Sequence, residues 1–241
     1  MIGRIFNLIY MDPLSQGTVG AAFAQSVANK KNIFKISFIG FLAGMIPDLD
    51  VLISSSTDPI LSLEYHRQFT HSLFFIPFGS LIFATLIFPL FKSSLSLKTV
   101  YFASFLGYAT HGLLDACTSY GTQLFWPFSN ERISWNNISI VDPLFTIPTF
   151  IFLVIAIKTK KKTFSFFGIG WIIFYLTLGY VQYERALSAA IELATMRGHN
   201  AERLTLKPSF GNLILWKSIY KHNETFYAVS YTHLRAHETD R

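Results

Sequence analysis

Residues 45–71 read MIPDLDVLISSSTDPILSLEYHRQFTH and separate two apolar runs of the chain. Four side chains of this stretch stand out as possible metal ligands, namely Asp48, Asp50, His66 and His71. Carboxylates and imidazoles are ligands that Zn²⁺ and other divalent metals accept in proteins. Ionisable groups beside apolar runs of membrane length are expensive to keep there, so these four side chains are candidate functional residues.

The composition is typical of a membrane protein. The 241-residue chain is 51% hydrophobic, only 14% charged, and contains 25 Phe. A soluble domain is usually about a quarter charged. The single Cys117 excludes an internal disulfide and a cysteine-based zinc cluster. Although the net charge is +6, the sequence has no interleaving of arginine and aromatic residues, which argues against nucleic-acid binding.

Apolar runs recur along the chain with lengths close to those of membrane helices. They cover residues 13–29, 36–53, 72–91, 99–114, 143–157 and 163–183. We therefore predict an all-α, polytopic membrane protein with about five to six transmembrane helices. The first run carries small residues at three- and four-residue spacing, which favours close helix packing; a re-entrant or interfacial segment is the alternative.

The pattern divides the chain into three parts. Residues 11–183 are predicted to form the helical membrane domain, and residues 184–228 a small extramembrane α/β portion that is incomplete. Residues 229–241 break in composition from the rest and resemble translated adapter sequence. We expect a non-native tail there and leave His233 and His237 out of the site.

Lysine-rich loops orient the predicted spans. The densest run, at 158–162, is typical of a cytoplasmic loop under the positive-inside rule. Alternating the six predicted spans puts the other lysine loops, at 30–35 and 92–98, on the same side. The acidic and histidine motifs then all face the extracytoplasmic side of a bacterial inner membrane, which predicts that they form one site.

A second pair of candidate ligands lies near the end of a predicted span. His111 and Asp115 are four residues apart, so their side chains share one helix face. His66 and His71 are five apart and would diverge by roughly 140° on a continuous helix. They converge only if His66 lies in a loop and Thr70 caps a helix that His71 opens. For both pairs the alternative is a polar contact without a metal.

Arg67 and Asp142 are further candidates with two interpretations each. Arg67 could clamp phosphate or carboxylate, because a guanidinium matches such oxygens, or it could be an interfacial arginine. Asp142 could hydrogen-bond in the site or cap the helix that begins at Pro143. Asp48 and Asp50 could serve as metal ligands or as general bases; the alternative is solvation at a helix end.

These motifs resemble those of the YdjM-like family of membrane-bound metal-dependent hydrolases. The resemblance spans about residues 11–226 and rests on PDLD, EYHRQFTHS, GYATHGLLDACTSYGT and WNNISIVDPLF. The family is similar in turn to zinc-dependent phospholipase C and S1/P1-type nucleases, which are helical phosphoesterases with His/Asp metal clusters. The resemblance implies a set of metal ligands consisting of Asp48, Asp50, His66, His71, His111 and Asp115.

The chain departs from the family pattern at one place. Many members carry Thr-His near the N-terminus, where this chain has Ser15 and Gln16. A neutral amide is a poor metal ligand, so Gln16 is expected to bind substrate or to orient a ligand. We expect the same of Thr70 and Asp142. The departure leaves the number of metal ions open.

The expected function is a membrane-embedded, metal-dependent hydrolase that uses a divalent metal, expected to be Zn²⁺. Its substrate would be a phosphoester, or a lipid, at the extracytoplasmic interface. Asp48 or Asp50 would take a proton from water, and Arg67 would offset charge in the transition state. A membrane transporter or metal/proton relay, and a non-catalytic metal-stabilised protein, remain alternatives. Membrane lipid is the expected partner, and the oligomeric state stays open.

Overall fold

The computed structural model describes residues 12–53, 55, 57–58, 60–232 and 236–238. The first residue of the predicted membrane domain, Met11, lies outside the described residues. Parts of the predicted tail, at 233–235 and 239–241, lie outside them as well. The described chain is a bundle of helices followed by a small antiparallel sheet.

The elements are as follows. The α-helices are α1 (Pro13–Ser26), α2 (Ile33–Ala43), α3 (Leu61–Tyr65), α4 (Ile76–Phe91), α5 (Leu97–Ala116), α6 (Pro143–Thr159) and α7 (Thr163–Met196). Two 3₁₀ helices lie before α4, at Ile46–Leu52 and Phe69–His71. The strands are β1 (Glu202–Pro208), β2 (Trp216–His222), β3 (Thr225–Tyr231) and β4 (Ala236–Glu238), in the order β1-β2-β3-β4.

Side-chain caps explain where three of the helices begin. Asp12 precedes α1 and Asp142 precedes α6, and each carboxylate accepts a hydrogen bond from the first turn. Pro13 and Pro143 follow them at the first helical position, where the missing N–H of proline costs nothing. Ser96 caps α5 by accepting from a first-turn N–H at 3.2 Å.

Helix α1 packs against α2, α5, α6 and α7 at the centre of the bundle. Glycines allow the closest approaches between its neighbours. A Cβ added to Gly40 would lie 2.7 Å from the carbonyl oxygen of Gly20, and one added to Gly107 would lie 2.4 Å from that of Gly40. Tight packing of this small-residue helix is therefore confirmed.

The prediction of an all-α protein with five to six transmembrane helices is wrong. Within the described residues, only α7 is both long and apolar enough to cross a membrane. The segments Leu61–His71 and Ile76–Phe91 satisfy the same criteria only as a pair, and they meet at 88°. The alternation of six spans does not hold, so the predicted sidedness of the site loses this support.

The physical reason is that the apolar runs break into shorter helices. The run at 36–53 divides where α2 ends at Ala43, and a 3₁₀ helix then begins at Ile46, with Pro47 in its first turn. Helix α1 has 14 residues, so it is about 21 Å long, against roughly 30 Å of bilayer hydrocarbon. Helix α5 has 20 residues but is less apolar than α7.

The sheet lies against the C-terminal half of α7. Ala186 and Ala190 of this helix share a core cluster with Leu206, Trp216 and other strand residues. Helix α7 therefore runs without a break across the predicted boundary at 183/184. Strand β3 extends into the segment predicted to be a tail, and its backbone pairs with that of β4.

Candidate metal centre

Four potential metal ligands meet at one end of the bundle. Asp48 comes from the first 3₁₀ helix, His71 ends the second, and His111 and Asp115 lie on one face of α5. The prediction that the last two share a helix face is confirmed, with 3.7 Å between His111 Nε2 and Asp115 Oδ2. All but Asp48 are buried, and 15% of the Asp48 side chain is exposed. We call these residues the four-ligand cluster.

The ligand atoms of the cluster point at one another. His71 Nε2 lies 2.9 Å from His111 Nε2, and each nitrogen lies 3.3–3.4 Å from Asp48 Oδ1. Asp115 Oδ2 lies 3.2 Å from His71 Nε2. In a tetrahedral zinc site with bonds of about 2.0–2.1 Å, neighbouring ligand atoms are about 3.3 Å apart. The distances in the cluster are close to that edge length.

Asp50 orients His71 from the side of the ring that faces away from the cluster, with 3.3 Å between Asp50 Oδ2 and His71 Nδ1. Its Oδ2 accepts hydrogen bonds from the Arg67 main-chain N–H and from the Thr70 hydroxyl, each at 3.0 Å. Burial alone would raise the pKa of Asp50, but hydrogen bonds with His66 and His71 outweigh it and hold the pKa well below its usual range. An ionised carboxylate only accepts hydrogen bonds, so the Thr70 hydroxyl proton is directed at Asp50.

The partners of both imidazoles fix where their protons lie. The Thr70 oxygen is 2.9 Å from His71 Nδ1 and, with its own proton on Asp50, must accept from that nitrogen. His111 Nδ1 donates to the carbonyl oxygen of Gly44 at 2.6 Å. A neutral imidazole carries one N–H, so in their neutral forms both Nε2 atoms present lone pairs to each other.

Two facing lone pairs repel each other unless a proton or a metal cation lies between them. Asp48 Oδ1 and Asp115 Oδ2 also accept no hydrogen bond in the described part of the chain. Burial would lower the pKa of His71, but the neighbouring carboxylates of Asp115, Asp48 and Asp50 raise it well above its usual value. The cluster thus favours positive charge. Two imidazoles and two carboxylates at these distances fit a divalent metal.

A second group, Asp48, Asp50 and His66, could also hold a metal ion. His66 Nδ1 is 2.9 Å from Asp50 Oδ1, and its side chain is 13% exposed. His66 follows α3 in an extended conformation, outside any regular helix, as its convergence with His71 requires. The six predicted ligands therefore lie together. They form two overlapping groups that share Asp48.

Arg67 lies inside the protein and not at an interface. It is 1% exposed, and its Nε is 3.2 Å from Asp115 Oδ2. Nη1 donates to the Thr118 hydroxyl at 3.2 Å, and the guanidinium lies 5.4 Å from the centre of the Tyr120 ring. Nη2 makes no hydrogen bond in the described part of the chain. Arg67 therefore contacts a candidate ligand and keeps a donor for another anion.

Gln16, Thr70 and Asp142 were predicted to bind substrate or to orient a ligand, and only the first two contact the site. Gln16 Nε2 donates to Asp115 Oδ1 at 2.8 Å, so its amide contacts a candidate ligand from outside the cluster. Thr70 does not cap a helix: it lies in the second 3₁₀ helix, and α4 begins only at Ile76. That detail of the prediction is wrong, because the hydroxyl bonds to side chains of the site instead. Asp142 caps α6 and accepts from the Tyr175 hydroxyl, away from the cluster.

Two supporting groups were missed from the sequence. The Gly44 carbonyl oxygen fixes the orientation of the His111 ring. It is a main-chain group, which every residue type has, so the sequence cannot indicate its role. The Arg132 guanidinium donates to the carbonyl oxygens of Leu63, Glu64 and His66, each at 3.1 Å. Arg132 therefore holds the C-terminal end of α3 and His66, which directly follows it. A lone arginine in a polar loop carries no signal for such a long-range contact.

Comparison with known proteins gives two matches. The family model described as YdjM inner membrane protein matches residues 11–186, which include every residue of the four-ligand cluster. The uncharacterized protein YfhP of Bacillus subtilis (strain 168) is 29% identical over 110 residues. That match covers 45% of this chain and 33% of YfhP, so the chain spans about a third of this curated relative. No solved structure matches the chain.

Proposed function

Because the chain belongs to the YdjM family of inner membrane proteins, we propose that it is a membrane-bound, metal-dependent hydrolase of phosphoesters. The observation that carries the proposal is the pair of Nε2 atoms of His71 and His111, 2.9 Å apart with both Nδ1 protons directed elsewhere. Zn²⁺ is the proposed metal, because it accepts imidazole and carboxylate ligands in a tetrahedral arrangement.

In this proposal His71, His111 and Asp115 would hold the metal, which leaves one coordination position next to Asp48 for water. A divalent metal bound there supplies a Lewis acid that lowers the pKa of a water molecule and polarises a phosphoryl oxygen. Hydrolysis adds the hydroxyl of water to phosphorus, breaks one P–O ester bond and leaves the proton on the departing oxygen. The chain's own residues must position the ester, accept the proton from water and return it.

Asp48 is the better placed of the two candidate bases. Both oxygens of Asp50 are occupied, by His66 on one side and by Arg67 and Thr70 on the other. The Asp48 side chain is partly exposed, so a water molecule or substrate can reach it. We therefore assign proton transfer to Asp48. To Asp50 we assign the orientation of His66 and His71.

Arg67 is the proposed partner of the phosphoryl group. Its Nη2 has donor capacity left, next to the Asp115 carboxylate that its Nε contacts. A guanidinium in a buried site stabilises an anion strongly, because it competes with little water. Gln16 holds the other oxygen of Asp115 and so keeps that carboxylate turned toward the cluster.

The lysine loops support a site on the extracytoplasmic side. Lys98 lies in the first turn of α5 and lines a cavity with Val27 and Ile36, so the connection from α1 to α2 lies at the same end of the bundle as the start of α5. His111 is thirteen residues further along α5, about 20 Å away. The lysines at 158–162 directly precede α7, the candidate span, and so favour a cytoplasmic position for this end of the bundle.

The transporter alternative has less support. The buried acidic, basic and histidine side chains of the described chain lie at the end of the bundle where the cluster is; they are Asp50, Arg67, His71, His111, Asp115 and Asp142. A pathway would need such groups along the bundle. The non-catalytic alternative differs only in turnover, so an experiment must separate metal binding from hydrolysis.

The test compares the purified protein with His111→Ala and with a control, His222→Ala, on strand β2 outside the cluster. Metal content after reconstitution with Zn²⁺ is measured by mass spectrometry, and hydrolysis is measured with bis(p-nitrophenyl) phosphate. We expect the protein and the control to retain a divalent metal and a chelator-sensitive activity. His111→Ala is expected to lose both, because it removes a ligand.

Each alternative has its own outcome in this test. Failure of the protein to retain a divalent metal would contradict the proposal, because the proposed hydrolysis requires that metal. Tight metal binding without hydrolysis of any phosphoester would favour the non-catalytic protein. Metal flux in proteoliposomes that His111→Ala abolishes would favour a transporter instead.

A further inference from the structure

An apolar cleft of about 330 Å³ lies beside the four-ligand cluster. Its walls are one face of α4 and the first 3₁₀ helix, with side chains that include Leu49, Ile53, Phe75, Ile82, Phe83 and Leu86. The volume is within the range of about 300–1,000 Å³ that ligand pockets occupy. Since the α4 residues of the lining run from Gly79 to Leu86, about two helical turns, the cleft is elongated along that helix.

One end of the cleft reaches the residues that hold the cluster. Asp50 and Thr70 belong to its lining, and the Thr70 hydroxyl contacts His71 Nδ1 at 2.9 Å. Tyr108 closes this end, and its hydroxyl donates to the Thr70 carbonyl oxygen at 2.8 Å. A group at this end of the cleft is thus one side chain away from a candidate metal ligand.

Exposed apolar side chains lie both in the cleft and on the elements that carry it, outside the cleft itself. Leu86 is 74% exposed and Leu52, on the first 3₁₀ helix, is 75% exposed. Leu90, one turn beyond Leu86 on α4, is 76% exposed. In a member of an inner membrane protein family such side chains are suited to lipid contact. A hydrocarbon chain could therefore enter the cleft from the bilayer without crossing water.

We infer that the cleft binds the alkyl chain of an amphiphilic phosphoester and thereby places the ester at the four-ligand cluster. This inference rests on the proposed function and narrows its substrate class to esters with a long hydrocarbon chain. The inner end lies one side chain from the cluster that would bind the phosphoester, and the apolar walls match the alkyl chain. Each methylene group buried in the cleft adds to the binding free energy, so the length of the alkyl chain would dominate selectivity.

The test uses p-nitrophenyl alkyl phosphodiesters with methyl, octyl and hexadecyl chains, in detergent at constant concentration. The octyl ester is expected to have a kcat/KM at least about tenfold above that of the methyl ester. Leu86→Trp and Ile82→Trp should reduce this ratio several-fold, because indole fills the cleft. Leu90→Trp is the matched control, equally exposed on the same helix but outside the cleft, and should keep the ratio.

Two results would overturn the inference while leaving the proposed function intact: equal kcat/KM for all chain lengths, or a ratio that Leu86→Trp and Leu90→Trp lower equally. If no ester is hydrolysed, the proposed function fails, and photo-crosslinking decides the cleft separately. An alkyl phosphodiester with a diazirine in its chain should then label the residues that line the cleft. Labelling confined to the outer face around Leu90 would contradict the inference.

Discussion

Arg67 and Asp115 form a buried ion pair, with 3.2 Å between Nε and Oδ2. The same arginine has a φ of 61°, in the left-handed region that favours glycine, and its main-chain N–H binds Asp50. The side chain and the backbone of one residue thus hold two carboxylates of the site, Asp115 and Asp50. Their contributions to stability can be separated, because glycine relieves only the backbone strain.

Replacing Arg67 should therefore destabilise the protein to two different extents. Removal of one partner of a buried ion pair costs about 3–5 kcal/mol, so Arg67→Ala and Arg67→Gly should both lower the free energy of unfolding. Arg67→Gly should retain about 1 kcal/mol more, because alanine is strained at positive φ. Denaturant unfolding in detergent measures both. Equal stability of the two variants would show that the backbone there is not strained.

Gln16 should affect metal affinity without binding the metal. Gln16→Ala removes the amide that holds Asp115 Oδ1, and loss of such an orienting partner typically weakens metal binding about 10–100-fold. Gln25→Ala is the matched control, because Gln25 is equally buried on α1 but bonds to Ser37. Competition with a fluorescent zinc chelator measures both affinities. A similar loss in the two variants would mean a general effect of α1 packing.

Helix content could be predicted from the apolar runs, but helix length could not. The run at 36–53 is uninterrupted in hydropathy, and its division depends on Gly44 and Pro47, where the chain leaves α2 and turns into a 3₁₀ helix. Hydropathy measures the preference of side chains for an apolar surrounding and not the direction of the backbone. For that reason it overestimated the number of spans.

The site was more predictable than the fold around it. All six predicted ligands lie in two overlapping groups, because PDLD, the two histidines of EYHRQFTH and His111 with Asp115 each have a local geometry that spacing constrains. The groups that orient these ligands are distant in sequence or belong to the main chain. The Gly44 carbonyl and Arg132 contact the site across long sequence separations, which spacing cannot reveal.

Arg132 should hold the loop that carries His66. Arg132→Lys keeps the charge but cannot reach three carbonyl oxygens at once, so the end of α3 should open more often. Hydrogen exchange should become faster in residues 61–66 and remain unchanged in α5. Arg185→Lys, at an exposed position on α7, is the control. Unchanged exchange at 61–66 would contradict a role for Arg132 in holding this segment.

Thr70 should control the proton on His71. Its hydroxyl donates to Asp50 Oδ2 and accepts from His71 Nδ1, and so keeps the Nε2 lone pair directed at the cluster. Thr70→Val has the same shape but neither hydrogen bond, so metal affinity should fall about tenfold or more. Thr70→Ser retains the hydroxyl and should bind metal nearly as well as the native chain. Isothermal titration with Zn²⁺ distinguishes the two, and equal affinities would mean that Asp50 alone sets the His71 tautomer.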